Sequence, residues 1–224
     1  MLFMDRADAG RKLADRLLGY RDLKPIVLAL PRGGVPIGFE IARALDAPLD
    51  IALVRKIGLP GHAELALGAV TDGDQPDTVI NEQLKEEFAI TDSYVQEESA
   101  RHLVEIERRR KLYLEGRQPL PIRGRTVIVV DDGIATGATM RAALRGIRRR
   151  EPASIILAVP VAAPDTIEML RPEADEVICL FTPYDFYGVG QFYRNFTQVD
   201  DETVVAMLRN VAGKNARSSG SAPL

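Results

Sequence analysis

Cysteine and histidine are nearly absent from this chain of 224 residues, which holds one Cys (Cys179) and two His (His62 and His102). A single cysteine excludes an internal disulfide framework. In the apolar run EVICL, Cys179 reads as a small buried hydrophobe in a strand. Two histidines are too few for a His-rich metal cluster, and His102 reads as a packing or surface residue. Charge of one sign is also lacking. The 29 Lys and Arg nearly balance the 32 Asp and Glu, leaving −3, so no global field favours nucleic acid or a membrane. Long hydrophobic runs are missing too. The stretch SIILAVPVAAP contains prolines and falls short of the about 20 residues that cross a bilayer. The opening MLFMDRADAG turns charged too soon for a secretory leader. A soluble, cytoplasmic protein with neither membrane nor nucleic acid as partner is the expectation.

What is present is an ordinary globular balance, 46% hydrophobic and 27% charged, enough to build a core without covalent staples. Residues 5–20 set Ala9, Leu13, Leu17 and Leu18 on one helical face. PIVLAL reads as a strand, VPIGFEIARAL as a helix and LDIALV as a second strand. RKIGLPGHAE reads as a loop by its glycines and proline, followed by short strands at LALGAV and DTVI. A short helix is predicted over 81–88 and a long one over 91–115, whose ERRRK reads as a solvated last turn favoured by the helix dipole. Strands at TVIVV, SIILAVPV and EVICLF alternate with helices over 137–150 and 164–170. An aromatic segment, TPYDFYGVGQFYRNF, and a closing helix over 200–209 complete the pattern. The tail from 213 has no apolar periodicity and is expected to be disordered. Alternating strands and helices, with strand runs apolar on both faces, predict an α/β fold: a mainly parallel central sheet with helices on both faces. One domain is expected over 1–212, with a small C-terminal hood at about 181–199 and the long helix as an insertion. Ligands of such sheets bind beyond the carboxyl ends of the strands.

The segment VIVVDDGIATGAT runs from an apolar strand into two acids and then a small-residue loop that opens a helix. Backbone N–H groups at such a helix start, with the dipole behind them, form an anion site. Thr136 and Thr139 can add hydroxyl donors. Asp131 and Asp132 would repel a phosphate, so they call for sugar hydroxyls, Mg²⁺ or both. A phosphate beside a polyol or metal describes a sugar phosphate. Ordinary helix capping needs only one such residue. A nucleotide triphosphatase would need G-x-x-x-x-G-K-[ST], and a dinucleotide fold G-x-G-x-x-G after the first strand; neither is present.

VIVVDDGIATGAT resembles the phosphoribosyl-diphosphate (PRPP) signature of the type I phosphoribosyltransferases. LALPRGGVPIGFEIARAL resembles the family's diphosphate loop, and VRKIGLP the opening of the mobile catalytic loop in adenine-type members. The similarity spans roughly 26–195, and with GHAELALGAV and YGVGQFYRNF it looks like a stand-alone bacterial branch with no assigned acceptor. The resemblance implies that Ala135, Thr136, Gly137, Ala138 and Thr139 cradle the 5′-phosphate. It implies that Asp131 and Asp132 hold the ribose hydroxyls, with Mg²⁺ carried by PRPP. Arg32 and Gly33 would meet the diphosphate, and Arg55 and Lys56 would add charge on the leaving group. The segment 57–67 would be a lid, with His62 and Glu64 as candidate proton-transfer or acceptor-binding residues. A loose match of the hood implies Phe186 as the ring stacked on the base and Arg194 as a second diphosphate contact.

Ala135 departs from the 6-oxopurine enzymes, which carry an Asp at this position, and a methyl group cannot act as a base. The expected activity is transfer of a 5-phosphoribosyl group to a nitrogen acceptor, a nucleobase, with a PRPP or nucleotide sensor as the alternative. A homodimer is expected, with the long helix around Ile106 as a contact.

Overall fold

The computed structural model describes the backbone of residues 2–72 and 77–218 and, within these, the side chains of all but residues 62–66, 77 and 212–218. Helix α1 (Arg6–Leu17) starts where the Asp5 carboxylate accepts the Asp8 N–H and satisfies a free helix-start donor. Strand β1 (Ile26–Ala29), helix α2 (Gly34–Leu45) and strand β2 (Leu49–Ile51) follow. After them come strands β3 (Val54–Leu59), β4 (His62–Thr71) and β5 (Asp77–Ile80). Helices α3 (Glu82–Glu87) and α4 (Asp92–Leu114) are capped at their starts by Asn81 and Thr91. Strand β6 (Thr126–Val130), helix α5 (Ala138–Arg149), strand β7 (Ser154–Val161), helix α6 (Pro164–Leu170) and strand β8 (Glu176–Phe181) alternate as predicted. The last helix, α7, covers Asp201–Ser218.

The central sheet has five strands in the order β2-β1-β6-β7-β8, every pairing parallel. Successive residues of a strand face opposite sides. Val127 and Val129 accordingly join the cluster packed on α5 and α6, whereas Ile128 and Val130 join the one packed on α1, α2 and α7. This two-sided burial is why the strand runs are apolar throughout. Each fully buried aliphatic side chain contributes about 1.5–3 kcal/mol of transfer free energy.

Four expectations are corrected. RKIGLPGHAE is not a loop: β3, β4 and β5 form a separate antiparallel sheet of three strands, and the turn between β3 and β4 passes through Gly61 at φ 77°. Its glycines sit in the tight turn and at a register irregularity, so they punctuate a hairpin. LDIALV splits between β2 and the start of β3. The closing helix, expected to end at 209, continues to Ser218, and 219–224 lie outside the described residues. Ile106 is buried within its own chain at 2% exposure, so it is no free surface for a second copy. The basic run on α4 is spent on ion pairs, Arg108 and Arg109 with Glu105, and Arg110 and Lys111 with Glu107. Among the described residues no helix is long and apolar enough to cross a membrane.

Candidate active site

The site lies at the carboxyl ends of β1 and β6, where two small-residue loops meet. Asp131 and Asp132 follow β6 directly. A Cβ on Gly33 would fall 2.0 Å from Asp132 Oδ2, and one on Gly34 would fall 2.7 Å from the Val130 carbonyl. The loop after β1 therefore packs against the acid pair only because it carries no side chains there. The Pro31–Arg32 peptide in this loop is cis.

Asp132 gives one carboxylate oxygen to Arg6, whose Nε lies 2.7 Å from Oδ2. Asp131 uses Oδ1 to accept the Asp132 N–H at 2.8 Å. Burial and the adjacent Asp132 charge push the Asp131 carboxyl well above its ordinary value. Burial raises Asp132 as well, and the Arg6 bond pulls it back part of the way. Two neighbouring carboxylates with raised values hold protons readily until a cation or sugar hydroxyls compensate them.

The cradle Ala135–Thr139 includes Gly137, the N-cap of α5, at φ 75°. A Cβ there would meet Met169 and Thr166 at 2.5 and 2.9 Å, in a backbone conformation that already excludes most residues. The Thr166 hydroxyl donates to the Ala135 carbonyl at 2.7 Å and pins the loop from α6. Ala135, Thr136 and Thr139 stay exposed, so the cradle is open to a ligand.

Arg32 sits at the start of α2, with Nη1 3.8 Å from Asp201 Oδ1. The same Asp201 oxygen accepts the Tyr113 hydroxyl at 2.6 Å. Beside the acid pair a cavity of about 80 Å³ is lined by Pro31, Arg55, Ile106, Arg109, Asp131 and Thr139, among others. Arg55 is brought in by β3, and its Nε is buried with no hydrogen-bond partner. Lys56, next on the strand, does not line this cavity; its carbonyl accepts the His102 ring N–H. The side chains of His62 and Glu64 lie outside the described residues. A larger concavity of about 500 Å³ between α1, α2 and α7 shares no residue with these loops.

The hood reaches the site through Val189 and Tyr193. Val189 is close enough that a Cβ on Gly133 would fall 2.6 Å from its Cγ1. The Tyr193 hydroxyl donates to the Asp132 carbonyl at 2.6 Å. Phe186, the ring expected to stack on a base, is half-buried and packs on Phe192 with ring centroids 5.5 Å apart. Tyr184 and Tyr187 are the exposed rings, at 94% and 91%. Arg194 is exposed, and its backbone is held through N–H donation to the Phe3 carbonyl.

The arginine that sequence reasoning missed is Arg6. Besides Asp132 it donates to the Thr197 carbonyl at 2.7 Å and lies 3.9 Å over the Phe196 ring. Nothing in its local sequence, the first turn of an amphipathic helix, marks it, and 126 residues separate it from Asp132.

Among the described residues no group of three or more His, Cys, Asp or Glu could hold a metal ion. Two carboxylates do match how Mg²⁺ is commonly held, through one or two carboxylates plus substrate phosphate oxygens. Asp131 and Asp132 are the residues of this chain that would share it.

A parallel sheet with an acid pair and a small-residue loop opening a helix at one strand end is an α/β arrangement of the kind that binds anionic ligands beyond its strand ends. The chain belongs to the phosphoribosyl transferase domain family, whose model matches residues 4–196. It is similar to two Mycobacterium tuberculosis proteins, of strains CDC 1551 / Oshkosh and ATCC 25618 / H37Rv, each named "putative phosphoribosyl transferase". Identity to each is 44% over 207 residues, covering 92% of this chain and 46% of theirs. The chain thus spans about half the length of those curated relatives. It is also similar to the crystal structure of the protein TT1426 from Thermus thermophilus. That match has a TM-score of 0.85 at 42% identity, over 94% of this chain and 99% of that one.

Proposed function

We propose that this chain transfers a 5-phosphoribosyl group from PRPP to a nitrogen acceptor, a nucleobase, and releases diphosphate. The observation that carries this reading is the meeting of three kinds of group at one strand end. The open loop Ala135–Thr139 leads into the start of α5, the acid pair precedes it, and Arg55 lines a cavity with Asp131 and Thr139. PRPP carries groups that match: a 5′-phosphate, ribose hydroxyls and a diphosphate.

In the reaction the bond from ribose C1 to the diphosphate oxygen breaks, and its electron pair leaves with diphosphate. The acceptor nitrogen donates its lone pair to C1 and gives up its proton. The sugar passes through oxocarbenium character, so the residues that matter most meet the developing negative charge on the leaving group. In this reading Arg32 and Arg55 meet that charge, and Lys56, next to Arg55 on β3, adds to it. Bound Mg²⁺ supplies Lewis-acid charge at the leaving diphosphate. Asp131 and Asp132 orient the ribose through its hydroxyls, and the α5 start holds the 5′-phosphate. With Ala135 at the position of the 6-oxopurine Asp, the acceptor's proton leaves to another group or to water.

The test is to incubate the protein with Mg²⁺, PRPP and a panel of nucleobases and follow diphosphate release. Acceptor-dependent release supports the transferase. Tight PRPP binding without release for any base would replace it by a sensor.

A further inference from the structure

We propose that Arg109, on the inserted helix α4, joins Arg55 in gripping the diphosphate of the donor, an inference that rests on the transferase reading above. The cavity beside the acid pair draws its walls from the loop after β1, from β3, from α4 and from the cradle. Its volume is about 80 Å³, room for a small anionic group. Its charged lining is Arg55, Arg109 and one acid, Asp131.

Both arginines arrive with donors to spare. Arg55 Nε is buried without a partner, a costly state that an anion would relieve. Arg109 spends its Nε on Glu105 at 2.7 Å, which fixes the guanidinium plane and leaves the terminal amino groups for a ligand. The two residues are also held in register. The His102 ring donates to the Lys56 carbonyl, and the Tyr94 hydroxyl donates to the Gly58 carbonyl at 3.0 Å. These bonds tie β3 to α4 beside the cavity wall, so Arg55 and Arg109 face it as one preorganised fork. An arginine pair suits a diphosphate because each guanidinium offers a planar double donor.

The experiment is calorimetry of wild type, Arg109→Ala and Arg109→Lys with three probes in Mg²⁺: PRPP, inorganic pyrophosphate and ribose 5-phosphate. Arg109→Ala is expected to weaken PRPP and pyrophosphate about ten- to a hundredfold, the range for losing one charge-assisted hydrogen bond, with ribose 5-phosphate within about twofold. Arg109→Lys recovers part of the loss by keeping the charge without the fork. Wild-type binding of PRPP retained unchanged in Arg109→Ala overturns this inference and leaves the transferase reading standing. Equal weakening of all three probes, with a lowered melting temperature, makes Arg109 a structural residue and also overturns it. Failure of wild type to bind PRPP or ribose 5-phosphate overturns the transferase reading and this inference together.

Discussion

Strand β6 is buried from Val127 to Val130, whereas β3 is half-buried over Val54, Arg55 and Lys56 and fully buried only at Ile57 and Leu59. The two strands supply opposite halves of one site. β6 lies inside the parallel sheet, with paired neighbours on both edges and helices on both faces, and it delivers Asp131 and Asp132 at a fixed point. β3 is an edge strand of the antiparallel sheet, and it delivers Arg55 from an element held to α4 by side chains that reach its backbone carbonyls. The difference teaches a division of labour. On the transferase reading, the acids proposed to meet ribose are built on a strand buried along its length, and Arg55 on the half-buried start of a strand that Ile57 and Leu59 anchor in the core.

The largest effect is expected at the rigid half. Asp131→Asn should lower transferase activity by about a hundredfold or more, comparable to removing one preorganised transition-state contact. Stability should move the other way. The folded-state value of Asp131 is raised, so the native state is favoured by protonation, and that contribution is lost as pH rises through the raised value. The variant should melt at or above the wild-type temperature at pH 8, with the difference shrinking as pH falls toward the ordinary carboxylate range. Activity and melting temperature falling together at pH 8 would break the division.

An intermediate effect is expected where the hood meets the rigid half. Arg6→Gln removes the group that holds Asp132 down, so the acid limb of kcat/KM should move to higher pH. The Arg6 and Asp132 side chains are only 11% and 14% exposed, so leaving the carboxylate unpaired should cost about 3 kcal/mol in urea unfolding. An unshifted pH profile would remove Arg6 from the site.

The smallest effect is expected at the antiparallel half. Tyr94→Phe deletes one bond to the Gly58 carbonyl and should cost about 1 kcal/mol. Hydrogen exchange should speed up at the amides of Ile57 and Gly58 and stay unchanged in β6. Uniform acceleration across both sheets would show that the two are one cooperative unit.

The same contrast explains what the sequence made legible. Strands buried on both faces leave continuous apolar runs, so TVIVV, SIILAVPV and EVICLF are readable as strands and imply the parallel sheet. β3 and β4 carry Arg, Lys and glycines around a tight turn, and that chemistry reads equally well as a loop. The acids and the cradle are legible because their residues are adjacent. Arg6 and Arg109 are not, because tertiary packing alone brings them to the site from distant helices. The hood is less legible for a third reason: clustered rings do not say which of them pack on each other, as Phe186 does on Phe192.

One consequence of the N-terminal pairing concerns the way in. Phe3 donates to the Phe192 carbonyl and accepts from Arg194, and Asn195 donates to the Met4 carbonyl. With Arg6 bonded to Thr197, the roof of the site is strapped to the start of α1 at successive points. That roof cannot swing without dragging a helix whose inner face is sealed in the core. We expect ligands to enter past other walls of the cavity, among them β3, whose Gly58 carbonyl accepts the Tyr94 hydroxyl and whose Ile57 and Leu59 are buried in the core.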